Sequence, residues 1–222
     1  MSADPHRDTP LERAGPPVAR AASTMVALHG RGADAADMLA LWQALALPQV
    51  AVAAPQAAGR SWWPSSFLAP LPTNEPALSS ALARVGRVVA GLKAEGAERI
   101  VLLGFSQGAC LALEHAARSG ERWHAVIGLS GGLVGTGDGD GPATDALHGH
   151  APKAFDYTGR LEGVPVVLAC HERDPHIPLA RVRESASVLG AMGASVTMHV
   201  HPGAGHAVMA EDVKAVRALL NE

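Results

Sequence analysis

The sequence predicts an α/β fold with a mostly parallel central sheet and helices on both of its faces. Two observations carry this. Short apolar runs alternate with stretches of helical periodicity along most of the 222 residues. The apolar runs are also continuous, where a strand with one wet face would alternate apolar and polar residues. Strand–helix alternation with both faces covered implies parallel strands joined by right-handed crossovers.

The strand-like runs are 24–28 (Thr-Met-Val-Ala-Leu), 50–54 (Val-Ala-Val-Ala-Ala, ended by Pro55), 99–103, 124–129, 164–170 and 195–200. Helical stretches are read at 34–47, 76–93, 107–118, 178–192 and 207–220. In the second of these, Leu78, Leu82, Val85, Val89 and Leu92 recur at helical spacing. Residues 1–20 are rich in Pro, Ala and charge and are expected to form a loose lead-in to a single domain over 21–222. The stretch 131–163 breaks the alternation. Its Gly135-Thr136-Gly137-Asp138-Gly139-Asp140-Gly141 run is too Gly-rich for a helix or strand, so an insertion is expected there.

Composition excludes several classes. The net charge is −3 and no basic stripe is present, which argues against nucleic-acid binding. No run of eighteen apolar residues occurs, so no membrane span is expected. The first residues lack the apolar stretch of a secretory signal. With only Cys110 and Cys170, both in apolar surroundings, a reduced, cytoplasmic protein with two packing cysteines is expected.

In open sheets of this kind, chemistry sits in the loops after the carboxyl ends of strands. After the third strand comes Gly104-Phe105-Ser106-Gln107-Gly108, a G-x-S-x-G pattern between a strand and a helix. The turn is so tight that side chains two residues either side of the serine would collide, which selects glycine at 104 and 108. Ser106 is the candidate nucleophile, at a helix N-terminus that favours developing negative charge.

A serine hydroxyl needs a base, and the base needs an orienting acid. Past the fifth strand lies His171-Glu172-Arg173-Asp174-Pro175-His176, and past the sixth lies Pro202-Gly203-Ala204-Gly205-His206. Asp174 and His206 give the chain order Ser, Asp, His of an α/β-hydrolase fold. Glu172 is the rival acid, and His171 and His176 are the rival bases. His199 and His201 share a strand face and offer two metal ligands, but no third at metal-site spacing accompanies them. The oxyanion donors are read as the backbone N–H of Gln107 and that of Arg31, in the Leu28-His29-Gly30-Arg31-Gly32 loop after the first strand. The Arg31 side chain either meets a substrate carboxylate or is simply solvated. Of eight aromatic residues, Trp62, Trp63 and Phe67 cluster after the second strand. They are read as an acyl- or aryl-binding wall, with Leu133 and Val134 opposite.

With these pieces placed, the chain resembles the phospholipase/carboxylesterase family of α/β-hydrolases, which includes bacterial carboxylesterases and acyl-protein thioesterases. The resemblance rests on Leu28-His29-Gly30-Arg31-Gly32, Ser61-Trp62-Trp63, Gly104-Phe105-Ser106-Gln107-Gly108-Ala109, Leu129-Ser130-Gly131-Gly132, Asp174-Pro175-His176-Ile177-Pro178 and Gly205-His206. It implies a small-molecule ester substrate with a short or medium acyl chain, a shallow groove, no cofactor, and a homodimer as one open assembly state. After Trp63 the chain runs Pro64-Ser65-Ser66-Phe67, without the aspartate that acyl-protein thioesterases carry there, which favours esters over thioesters. Other chemistries on this fold, such as dienelactone hydrolysis or acyl transfer, remain alternatives. So does a non-catalytic ligand-binding relative, although such relatives commonly lose one of the three residues that are all present here.

Overall fold

The computed structural model describes residues 4–221. In chain order its strands are β1 (Leu11–Ala14), β2 (Ser23–Leu28), β3 (Val50–Pro55), β4 (Ile100–Phe105), β5 (Ala125–Leu129), β6 (Gly137–Asp138), β7 (Lys153–Ala154), β8 (Pro165–Arg173) and β9 (Ser195–Ala204). The helices are α1 (Ala35–Leu45), α2 (Ala77–Ala94), α3 (Gln107–Ser119), α4 (Leu179–Ala191) and α5 (Ala210–Leu220). A seven-stranded sheet has the order β1-β3-β2-β4-β5-β8-β9. Every pairing in it is parallel except that of β1 with β3.

The strand pleat sorts residues onto the two faces. Val26, Leu28 and Leu102 pack with Leu78 and Val85 of α2, Leu111 of α3, and Val182 and Leu189 of α4. Met25, Ala27, Val101 and Leu103 point the other way, onto Met38 and Leu45 of α1 and Val216 and Leu220 of α5. This is why β2 and β4 read as unbroken apolar runs. Helix α1 begins at a capping box in which the Asp34 side chain accepts from the Asp37 amide (3.3 Å) and Asp37 accepts from the Asp34 amide (2.9 Å). No helix among the described residues is long and apolar enough to cross a membrane.

The expected loose lead-in at 1–20 is corrected over its described part. Leu11 to Ala14 pair with Pro55 to Val52 as the antiparallel edge strand β1. His6 is 1% exposed, with Nε2 bonded to the Trp62 carbonyl (2.9 Å) and its own amide donating to Ser80 Oγ (2.9 Å). The stabilising partners are non-local hydrogen bonds, and a four-residue edge strand needs no apolar alternation to form them.

The insertion at 131–163 lies off the main sheet. Its short strands β6 and β7 pair with one another, and buried Glu114 of α3 fastens it. Glu114 Oε2 accepts from the amides of Val134 (2.8 Å) and Gly135 (3.1 Å) and from the Tyr157 hydroxyl (2.7 Å).

Candidate active site

Ser106 stands between β4 and α3 at φ +55°, ψ −120°, a conformation rare for a residue with a Cβ. Its amide donates to the Leu129 carbonyl of β5 (2.9 Å). The two flanking glycines are needed for separate reasons. A Cβ at Gly104 would fall on the backbone of Gly108 and Ala109, within the turn itself. A Cβ at Gly108 would fall on the carbonyls of Leu28 and His29, where β2 ends. The second glycine therefore lets the Ser106 turn sit directly against the 29–32 loop.

His206 follows β9 by two residues, and its Nε2 lies 2.9 Å from Ser106 Oγ. Its Nδ1 lies 2.7 Å from Asp174 Oδ2. Asp174 follows β8 directly and is 3% exposed. Its other oxygen accepts from the amides of His176 (2.9 Å) and Ile177 (3.0 Å). Burial alone would raise the Asp174 pKa. The hydrogen bond from His206 and the two amides outweigh it and hold the carboxyl below its ordinary range, so it is ionised at neutral pH. An ionised Asp174 requires His206 Nδ1 to carry the proton, which leaves the Nε2 lone pair facing the serine hydroxyl.

Two amides lie beside this relay. Neither the Arg31 nor the Gln107 N–H has a protein acceptor among the described residues, and Gln107 is the first residue of α3. The glycines of the 29–32 loop again act differently. A Cβ at Gly30 would come within 3.2 Å of Ser106 Cβ, so Gly30 allows close approach. Gly32 meets nothing within 4 Å but adopts φ +79°. His29 fixes the loop's path. Its Nε2 accepts from the Ala57 amide (3.0 Å), so its Nδ1 donates to the Gly30 carbonyl (2.8 Å). Burial pulls the His29 pKa down and keeps that ring neutral.

The cleft over Ser106 has a volume of about 510 Å³. Trp63 and Phe67 line it. Trp62 does not and is corrected to a core residue at 0% exposure. Its indole N–H donates to the His29 carbonyl (2.9 Å), and its ring packs against those of His29 and His6. The Gln107 side chain grips the main chain at both ends of the tryptophan pair. Oε1 accepts from the Trp62 amide (2.9 Å), and Nε2 donates to the Trp63 carbonyl (2.8 Å). Gln107 thus has a side-chain role as well as a backbone one, and His6, from the segment expected to be loose, covers Trp62.

Leu133 is likewise corrected. It is 0% exposed, lies away from the cleft, and donates its amide to Ser185 Oγ of α4 (2.9 Å). Gly131 and Gly132 let the chain pass between α3 and α4, where Cβ atoms would meet Ala109, Arg181 and Ser185. Val134 is buried there too. The wall assigned to these two residues is formed instead by Phe105, His176 and Ile177, with Cys110 also lining the cleft. The Phe105 ring lies 5.1 Å from that of His206, and His176 meets His206 edge-on at 4.9 Å. Phe105 was legible, being the first of the two variable residues of the G-x-S-x-G pattern.

The rival residues have other partners. Glu172 is exposed and accepts from the Gly203 amide (3.0 Å), bracing the loop that carries His206. His171 is buried against His201, with its Nε2 2.7 Å from where a Gly205 Cβ would be. His201 Nε2 bonds Asp212 Oδ1 (2.7 Å). Among the described residues no cluster of three or more His, Cys, Asp or Glu could hold a metal. Burial raises the thiols of Cys110 and Cys170 to about 12, which makes both poor nucleophiles.

A parallel sheet with a serine at a strained strand–helix turn, bonded to a histidine that is itself bonded to an aspartate, both from later strand ends, defines an α/β-hydrolase. Within that class, the phospholipase/carboxylesterase family model matches residues 15–222, and the chain belongs to that family of hydrolases. It is similar to the phospholipase/carboxylesterase of Dyadobacter fermentans, at 38% identity and a TM-score of 0.85 over 97% of each chain. It is also similar to esterase PE8, at 25% identity and a TM-score of 0.69, over 96% of this chain and 97% of that one. Acyl-protein thioesterase 1 of Gibberella zeae is 30% identical over 125 residues, 56% of this chain. That match spans 48% of the thioesterase, about half the length of the curated relative.

Proposed function

We propose that the protein is a serine esterase that cleaves small carboxylic esters with short or medium acyl or aryl groups through a Ser106–His206–Asp174 triad. The observation that carries this reading is the continuous relay from Ser106 Oγ to His206 Nε2 (2.9 Å) and from His206 Nδ1 to Asp174 Oδ2 (2.7 Å). In the first step Ser106 Oγ attacks the ester carbonyl as His206 Nε2 takes its proton. Asp174 stabilises the imidazolium that results and keeps the ring oriented. The N–H groups of Arg31 and Gln107 hold the oxyanion, which develops beside the positive end of α3. His206 returns the proton to the departing alcohol. Water, deprotonated by the same ring, then attacks the acyl-serine and releases the acid.

Family membership supports ester hydrolysis, and the strained turn supports the serine's role. A conformation costing about 1–3 kcal/mol persists only where the surroundings enforce it, and it holds Oγ in the cleft. The test is turnover of p-nitrophenyl acetate, butyrate and octanoate by the purified chain. Saturable release of p-nitrophenol is expected, with acetate or butyrate the better substrate by kcat/KM. No release above the buffer rate from any of the three would overturn the esterase reading.

A further inference from the structure

The cleft beside Ser106 is well supplied with hydrogen-bond donors and contains no carboxylate. None of its lining residues is Asp or Glu, and the only permanent charge among them is Arg31. The Arg31 guanidinium is held in place by the main chain. Nη1 donates to the Pro64 carbonyl and Nη2 to the Ser65 carbonyl, each at 2.6 Å, and both of those residues also line the cleft. A guanidinium has five N–H donors, so most of its capacity remains after these two bonds. None of the ion pairs among the described residues includes Arg31.

Trp63 lines the cleft as a buried wall at 1% exposure. The oxyanion amides account for one oxygen of an ester. The Arg31 side chain calls for a further, negatively charged one. The remaining walls, Phe67, Phe105 and Ile177, suit a short carbon chain between the two groups.

We infer that the preferred substrates are small esters bearing an ionised carboxylate, which the Arg31 guanidinium holds while Ser106 attacks the ester carbonyl. This rests on the esterase reading for its chemical step but not for its binding step. The geometry favours a carboxylate over a point anion because a planar guanidinium can offer parallel N–H groups to two oxygens.

The experiment compares matched pairs. The p-nitrophenyl half-ester of adipic acid and p-nitrophenyl hexanoate differ by a carboxylate on the acyl side. Acetoxybenzoate and its methyl ester, both para-substituted, differ by one on the leaving-group side. The readout is the anionic-to-neutral ratio of kcat/KM in wild type, R31Q and R31K. Disturbance of the Arg31 amide affects both members of a pair and divides out. In one or both pairs the ratio is expected to fall about tenfold in R31Q, as for a lost charge-assisted hydrogen bond, and to recover partly in R31K. It is also expected to fall with added salt in wild type, because Arg31 is exposed.

Calorimetric titration with the adipate dianion provides a reading independent of turnover, with weaker binding to R31Q expected. Ester turnover with unchanged ratios in R31Q would overturn this inference and leave the esterase reading intact. Arg31-dependent adipate binding without turnover of any ester would do the reverse. Neither turnover nor Arg31-dependent binding would overturn both.

Discussion

Replacing Ser106 with alanine is expected to lower kcat for p-nitrophenyl butyrate by roughly 10⁶-fold, to the level left by binding and the oxyanion amides alone. The effect should be this large because the three side chains act as one unit. Without Oγ there is no acyl-enzyme, and His206 has no hydroxyl to deprotonate. The fold should survive. Alanine at φ +55° carries the same Cβ as serine, so the strain of the turn is unchanged. The loss is one hydrogen bond to His206, worth about 1 kcal/mol. A two-state domain of this size would then melt a few degrees lower at most. Parallel rate and melting measurements on S106A separate loss of chemistry from loss of structure. A variant that melts normally and retains more than a few per cent of wild-type kcat would remove Ser106 from the mechanism.

The second large effect is expected at Asp174. D174N should reduce kcat about 10⁴-fold, because an amide cannot stabilise the imidazolium and favours the wrong ring tautomer. Its side-chain oxygen can still accept from the amides of His176 and Ile177, so the turn after β8 should hold. Glu172 is the control. It is two residues away but exposed, and it bonds the Gly203 amide where Asp174 bonds His206. E172Q keeps an acceptor at that position and should change kcat by less than about threefold, within the range of a surface hydrogen bond. Kinetics of the two variants at one pH decide between them. A larger loss in E172Q than in D174N would reassign the acid.

The features that could be read from the chain are those set by local sequence and sheet topology. Val26, Leu102 and their neighbours read as strands because both sheet faces are covered, and the candidate residues followed from asking which ones lie past strand ends. Gly104 was legible because the steric demand of the turn is itself local, whereas Gly108 answers to the Leu28 and His29 carbonyls, which are distant in sequence. Where the structure differs from expectation, the deciding contact is distant in sequence. Leu11–Ala14 is a strand because β3 offers it an edge, and nothing in those four residues announces this. Trp62 is buried because His6 and the Gln107 side chain close over it from 56 and 45 residues away. Leu133 leaves the cleft because Gly131 and Gly132 open a path between two helices, and a glycine pair in sequence does not say where the path leads.

The same distinction explains the cleft. Its chemical groups come from strand ends and could be ordered in advance. Its walls come from how the 63–67 and 176–177 segments fold back over the sheet. Phe105 and His176, which flank the His206 ring, took the place that Leu133 and Val134 were expected to fill.

If Ser106 Oγ is the proposed nucleophile, a fluorophosphonate will phosphonylate it with loss of fluoride. The direct measurement is mass spectrometry of the protein after reaction with a fluorophosphonate, first intact and then as proteolytic peptides. One adduct per chain is expected, on the peptide carrying Ser106, and none on S106A. An adduct mapped to another residue, an adduct that persists on S106A, or ester turnover by a protein that takes no label would contradict that role for Ser106.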